Sequence, residues 1–272
     1  MSETIKTIGY GQFLPIFEDI EGNIAQIERI VRETGNVDLL VFPELATSGY
    51  EFLNVAELAT MAEEFIEGQT SCRMKRLARE TGTTVVIGYP EQKGQRFFNS
   101  SMLATPDGTL MNYRKIHLYD RENDLFSPGD EAPKVVDTPA GRVGMMICFD
   151  WTFPETARLL ALAGVQIIAH PSNLVMPYCQ RAMFARCLEN SVYVVTANRV
   201  GTEQRVGRSL TFTGQSQITG PRGDILASGS ADKPEIATVE VDLSVADEKS
   251  YNSYNHRFRD RRVELYGALL NP

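Results

Sequence analysis

Val143-Gly144-Met145-Met146-Ile147-Cys148-Phe149-Asp150-Trp151-Thr152-Phe153-Pro154-Glu155 joins an apolar run to the start of a helix. Residues 143–148 carry no charge, which is how a strand buried on both faces reads. Pro154 suits a first helical turn, where its missing N–H has no intrahelical partner to lose. Residues 153–163 read as that helix. The thiol of Cys148 is therefore predicted at a strand-to-helix turn, beside backbone N–H groups that the helix leaves unpaired.

The same alternation extends in both directions. Upstream, residues 4–12 read as an opening strand, and Ile20, Ile24, Ile27 and Val31 fall on one helical face. Residues 37–42 and 84–89 read as buried strands, with a helix over 74–80 between them that ends at Gly82, a left-handed cap. Residues 99–104 and 110–114 flank Pro106-Asp107-Gly108, a turn by its chemistry. Downstream, a strand over 165–170, a helix over 178–190 and a strand over 192–197 repeat the pattern. Strands over 215–219 and 224–227 flank the turn Gly220-Pro221-Arg222-Gly223, and residues 236–241 form a last strand. Helices alternating with buried strands, with hairpins between, predict an α/β fold of two mixed sheets covered by helices.

Composition sets the bounds. The chain has 272 residues, 43% hydrophobic and 23% charged, with no linker rich in Pro, Gly and Ser. It reads as one domain over 1–272, large enough to hold a pocket without disulfides or a structural metal. The formal charge is -8, from 27 basic and 35 acidic residues, so a nucleic acid partner would meet net repulsion. The most basic stretch, Arg257, Arg259, Arg261 and Arg262, is interrupted by Asp260 and Glu264 and reads as a solvated or subunit-facing helix. No run of apolar residues is long enough for a membrane span, and residues 1–6 lack the pattern of a signal peptide. The four cysteines, Cys72, Cys148, Cys179 and Cys187, form no C-x-x-C pair, and three histidines give no zinc spacing. Free thiols in an acidic chain point to the cytoplasm.

Three polar residues stand at or beyond the ends of predicted strands: Glu44 after Val41-Phe42-Pro43, Lys115 after Tyr113-Arg114, and Cys148. In α/β sheets such ends line a common crevice. Each alone has a bland reading, as a loop carboxylate, a surface ammonium and a small core residue. Together they form a working set. A cysteine thiol is mostly protonated at neutral pH and needs a base, which a desolvated carboxylate supplies. An ammonium near both holds the thiolate and stabilises an oxyanion.

The chain closely resembles the nitrilase superfamily of carbon–nitrogen hydrolases, whose signature is a Glu–Lys–Cys triad. The matching segments are Val41-Phe42-Pro43-Glu44-Leu45, Tyr113-Arg114-Lys115-Ile116-His117-Leu118 and Ile147 to Glu155. Gly88 with Asn99-Ser100, Ser127-Pro128-Gly129-Asp130 and His170-Pro171-Ser172-Asn173 support the match. The resemblance implies a four-layer α–β–β–α sandwich and a catalytic set of Glu44 as base, Lys115 as oxyanion donor and Cys148 as nucleophile. It adds Glu122, in Tyr119-Asp120-Arg121-Glu122, as a second glutamate that positions the lysine or the substrate. His117 is expected to orient its loop, and Cys72, Cys179 and Cys187 to be unreactive. No metal and no organic cofactor is implied.

The resemblance also implies a substrate region around Phe149, Trp151, Asn173 and Tyr119, with the Phe149 N–H as an oxyanion donor. Leu174-Val175-Met176 follows Asn173 where some relatives place an arginine, which argues against a carboxylate clamp there. A small amide is the favoured substrate, cleaved to acid and ammonia through a thioester; a nitrile or an N-carbamoyl compound is the alternative. Two readings from other classes are a metal-dependent phosphoesterase, for which histidines are too few, and a binding protein without turnover, which an intact triad disfavours. A homodimer or higher homo-oligomer is expected, with the tail over 251–272 at the subunit interface. Tyr251, Tyr254, Phe258 and Tyr266 among arginines are the composition interface cores favour.

Overall fold

A computed structural model describes residues 4–270; residues 1–3 of the N-terminal reading and 271–272 of the expected tail lie outside it. The first half of the chain forms β1 (Ile5–Gln12), β2 (Leu39–Val41), β3 (Thr84–Lys93), β4 (Arg96–Ala104) and β5 (Leu110–Arg114). The second half forms β6 (Val135–Thr138), β7 (Gly141–Met145), β8 (Ile167–Ser172), β9 (Tyr193–Asn198), β10 (Thr202–Arg205) and β11 (Arg208–Thr211). β12 (Gln217–Thr219), β13 (Ile225–Ser228) and β14 (Glu235–Asp242) complete it. The helices are α1 (Ile20–Thr34), α2 (Val55–Ala59), α3 (Gln69–Thr81), α4 (Glu122–Leu125), α5 (Pro154–Leu162), α6 (Cys179–Asn190) and α7 (Ser244–Asp247).

One sheet has the order β14-β1-β2-β3-β4-β5 and the other β13-β12-β9-β8-β7-β6, with β10 and β11 as a separate ribbon. β1, β2 and β3 run parallel, as do β7, β8 and β9. Because β4 reverses direction and β5 reverses it again, β5 points the same way as β2 and β3. That puts the carboxyl ends of β2 and β5 at one end of the sheet.

The apolar pattern dictates the layers. Leu39 and Val41 of β2 face the second sheet, while Leu40 between them faces the helices; Val86 of β3 is likewise flanked by Val85 and Ile87. Ile24, Ile27 and Val31 of α1 join Met74 and Leu77 of α3 over the first sheet. Ala157 and Leu160 of α5 and Met183 of α6 cover the second. Each fully buried aliphatic side chain contributes about 1.5–3 kcal/mol, so these faces lock helix to sheet. β1 lies against β9, and β2 and β3 lie against β8. The result is the four-layer α–β–β–α arrangement expected, and Gly82 caps α3 at φ 74°. Among the described residues no helix is long and apolar enough to cross a membrane.

Two readings are corrected. The strand expected to run to Cys148 stops at Met145, because the Asp150 carboxylate accepts the Ile147 N–H at 2.8 Å and folds the chain into a 3-10 turn over Cys148–Thr152. The arginine-rich segment is not a helix. Asn252 accepts the N–H groups of Tyr254 and Asn255, and Asp260 accepts that of His256, so side chains close turns in place of helical bonds. Only short 3-10 pieces, Val263–Leu265 and Gly267–Leu269, follow among the described residues. Of the other cysteines, Cys72 is exposed on α3, whereas Cys179 and Cys187 are buried and burial pushes their thiols well up.

Candidate active site

Glu44 lies beyond β2 in a tight bend, with Leu45 at φ 46°. The bend presses on β3 at Gly88, whose N–H donates to the Pro43 carbonyl at 3.0 Å and whose carbonyl accepts the Ala46 N–H at 2.8 Å. A Cβ at position 88 would stand 2.5 Å from both Glu44 Cα and Leu45 N, so only glycine fits. The Glu44 carboxylate is fully buried. Its Oε1 accepts Asn99 Nδ2 at 2.7 Å and Lys115 Nζ at 2.7 Å. Its Oε2 has no hydrogen-bond partner among the described residues.

Lys115 leaves the carboxyl end of β5 with its N–H on the Asn99 carbonyl and its own carbonyl taking the Gly129 N–H. Its ammonium has no exposed surface and bridges Glu44 and Glu122, each at 2.7 Å. Burial opposes this charge, but the two carboxylates overcome it and hold the lysine protonated, above its ordinary range. Glu122 opens α4 with a buried carboxylate. Its Oε1 also accepts the Tyr50 hydroxyl at 2.6 Å, and its Oε2 takes the Tyr119 N–H at 3.2 Å. Burial pushes Glu122 up to about 6, against the pull of Lys115.

Cys148 begins the 3-10 turn at φ 40°, a conformation that a residue with a Cβ adopts only when its surroundings hold it. His170 Nε2 donates to the Cys148 carbonyl at 3.0 Å, and Thr196 Oγ1 bonds the other ring nitrogen at 3.1 Å. Burial lowers His170 to about 4, so the ring is neutral and serves as a strut. The thiol itself is pushed well up by burial and then by the Glu44 charge, with Lys115 opposing and the Asn173 N–H directed at the sulfur. Two carboxylates and one ammonium leave the cluster one negative charge in excess while the thiol is neutral. At rest, then, the proton stays on sulfur. The Phe149 N–H lies in the first turn after Cys148, where no intrahelical acceptor exists.

A small cleft opens onto Cys148. Tyr119, Phe149, Trp151, Asn173, Leu174, Val175 and Met176 line it. The residues expected at the site come together: Lys115 joins Glu44 and Glu122, the charges of all three act on Cys148, and Tyr119, Phe149, Trp151 and Asn173 line the cleft with that thiol. His117 orients its loop through Asp150, with Nδ1 at 2.8 Å from Oδ1, and stacks on Phe153 at 3.6 Å. Sequence reasoning passed over Tyr50. Its signal was faint: a tyrosine a few residues past Glu44, in a loop that periodicity does not resolve. It also passed over Arg199 and Glu203, which form a buried ion pair behind that loop.

A buried carboxylate, ammonium and thiol thus meet near the strand ends of an α–β–β–α sandwich. The carbon–nitrogen hydrolase family model matches residues 7–251, and the chain belongs to that family, within the nitrilase superfamily. It is 42% identical over 261 residues to a nitrilase of Pyrococcus abyssi, covering 95% of this chain and 98% of that one. It is 37% identical over 236 residues to an (R)-stereoselective amidase of a Pseudomonas species, covering 86% of this chain and 82% of that one. The crystal structure of a carbon–nitrogen hydrolase from Helicobacter pylori G27 superposes with a TM-score of 0.88 over 98% of both chains, at 24% identity, a likeness of fold. The protein is a carbon–nitrogen hydrolase.

Proposed function

We propose that this hydrolase cleaves a small uncharged amide to a carboxylic acid and ammonia, with Cys148 as nucleophile. The observation that carries the reading is the Glu44 carboxylate: Lys115 and Asn99 tie one oxygen, and the other is buried without a partner, in the field of the Cys148 thiol. Glu44 takes the thiol proton as sulfur bonds to the amide carbon. The carbonyl electrons move onto oxygen, between Lys115 Nζ and the Phe149 N–H, and one such donor contributes about 3–4 kcal/mol. Glu44 passes the proton to nitrogen, the C–N bond breaks, and ammonia leaves a thioester on Cys148. Water then attacks that carbon while Glu44 accepts its proton. The C–S bond breaks, the acid departs, and Glu44 returns the proton to sulfur.

Glu122 has a supporting role. Its charge takes a share of the ammonium, so Lys115 is held between two carboxylates and not on Glu44 alone. The cleft supports an uncharged substrate, because its walls are largely apolar and no Lys or Arg side chain lines it. A nitrile or N-carbamoyl substrate would use the same nucleophile and remains the second reading. An ammonia-release screen over small aliphatic and aromatic amides, ω-amides, carbamoyl compounds and nitriles tests the choice. Turnover highest on neutral amides supports it; turnover confined to nitriles or carbamoyl compounds overturns it.

We also propose that the chain works as one domain, because the site takes Glu44 and Lys115 from one sheet and Cys148 from the other. A single cooperative unfolding transition supports this, and two transitions oppose it. Exposed Tyr251, Tyr254, Leu265 and Leu269 on the tail support a homodimer or larger homo-oligomer. Light scattering is expected to give at least twice the 30.3 kDa chain mass, and a fully active monomer would end that proposal. Four unpaired cysteines support a cytoplasmic location, which fractionation of the source cells would check.

A further inference from the structure

Behind the site lies a second polar network that the reaction scheme leaves unused. Arg199 is almost fully buried, and its Nη1 donates to Glu203 Oε2 at 2.6 Å. Its guanidinium covers the Phe212 ring at 4.2 Å, and that ring meets the Tyr50 ring edge-on at 6.0 Å. Glu203 in turn accepts the backbone N–H groups of Tyr50, at 3.0 Å, and Glu51, at 2.6 Å. The backbone of the loop after Glu44 is therefore fixed by a carboxylate on the β10–β11 ribbon. A second tie runs from the same ribbon: Arg208 bonds Glu51 at 3.1 Å and Asp120 at 2.7 Å. Glu51 follows Tyr50, and Asp120 lies in the loop that carries Glu122. The ribbon belongs to neither main sheet, yet it grips both loops whose side chains meet at Glu122.

We propose that Tyr50 is a positioning residue, which the β10–β11 ribbon holds through Glu203 and Arg208 so that its hydroxyl fixes the Glu122 carboxylate on Lys115. The inference rests on the function proposed above and goes beyond it. Glu122 Oε1 receives both Lys115 Nζ and the Tyr50 hydroxyl. Without the hydroxyl, Oε1 would keep one donor, the lysine, and the Tyr119 N–H on Oε2 would be the only other hold on the carboxylate among the described residues. Burial would then act on it with less opposition. A donated hydrogen bond favours the ionised carboxyl, so losing it raises the pH at which Glu122 takes a proton. The charged and titratable groups facing Glu122 are Lys115, Glu44, Tyr50 and Cys148. A protonated Glu122 surrenders its share of the ammonium, and Lys115 then pairs with Glu44 alone, which opposes transfer of the Cys148 proton to that carboxylate. Tyr50 thereby acts on the rate without touching the substrate.

The test is the pH profile of kcat/KM and kcat for the wild type, Tyr50→Phe, Arg208→Gln, Glu122→Gln and Cys148→Ala. The wild type is expected to show an acid limb near the Glu122 value of about 6. Tyr50→Phe is expected to lower kcat by about ten- to a hundredfold at little change in KM, and to move the limb up by about one unit. Arg208 is partly exposed, so Arg208→Gln tests the grip without opening the core, and a smaller shift in the same direction is expected. Glu122→Gln is expected to remove the limb. If Tyr50→Phe and Arg208→Gln lose melting temperature but leave the limb in place, Tyr50 is merely structural and the proposal fails. If Glu122→Gln removes the limb, Cys148→Ala is inactive and Tyr50→Phe behaves as wild type, the inference alone is overturned. If Cys148→Ala keeps turning over, the proposed function falls and the inference with it.

Discussion

Glu44→Gln separates two effects that usually travel together, the reactivity of the thiol and the rate of turnover. The amide of glutamine can keep its oxygen where Oε1 now accepts Asn99 Nδ2 and Lys115 Nζ. Its NH₂ group then occupies the position of Oε2, which has no partner to lose. Lys115 retains Glu122 as counter-charge. The fold therefore loses the charge on one hydrogen-bond acceptor and gains a buried NH₂ group without an acceptor, a cost of about 1–3 kcal/mol. Catalysis loses its base, which is worth roughly 10²–10⁴ in rate. The Glu44 charge is also the largest charge effect raising the Cys148 thiol. Its removal takes the cluster from one excess negative charge to none, so the thiol ionises at lower pH. The variant should thus be nearly inactive while its cysteine alkylates faster near neutral pH. Ammonia release gives the first quantity, and iodoacetamide labelling followed by peptide mapping gives the second, with exposed Cys72 as an internal reference. More than about a tenth of wild-type turnover would refute the base role. A Cys148 thiol that ionises at higher pH in the variant would refute the electrostatic picture.

Acid should act on two buried groups with opposite signs. His170 has a folded value of about 4 against an unfolded 6.5, so the unfolded chain binds more protons between them and stability falls as pH drops through that window. Glu122 has a folded value of about 6 against 4.5, so the native state binds more protons there and gains stability as pH falls from about 6. His170→Gln should flatten the acid loss of melting temperature, because glutamine can still donate to the Cys148 carbonyl without titrating; an unchanged slope in calorimetry would contradict this. Gly88→Ala should cost roughly 1–3 kcal/mol and most activity, because the new methyl meets the Glu44 and Leu45 backbone at 2.5 Å. Denaturant melts and ammonia release check both parts, and a fully active, equally stable variant would show that the bend can move.

The layers were legible because β2, β3, β8 and β9 are buried on both faces and so appear as continuous apolar runs. The strand end that carries Glu44 could be placed for the same reason, whereas β5, only partly buried, was placed by the Pro106-Asp107-Gly108 turn before it. Cys148 was placed near the right turn, yet its left-handed backbone was hidden, since it follows from Asp150 capturing the Ile147 N–H. The β10–β11 ribbon left no periodic trace. Thr202-Glu203-Gln204-Arg205 is polar throughout, and ion pairs to Glu57, Glu51 and Asp120 dock the ribbon beside the single apolar side chain it contributes, Leu210. The tail misled for a related reason. Its arginines looked helical, but Asn252 and Asp260 bond their own backbone neighbours. Tyr50 was illegible because its partner Glu122 comes from a distant loop, and local pattern does not say which loops meet.

The most direct test of the central claim is to quench the enzyme during turnover of a slow amide and map the covalent adduct by mass spectrometry. An acyl group on the peptide containing Cys148, absent from Cys148→Ala, is the predicted result, with Cys72, Cys179 and Cys187 unmodified. Acylation of one of those three, or turnover by Cys148→Ala, would contradict the account.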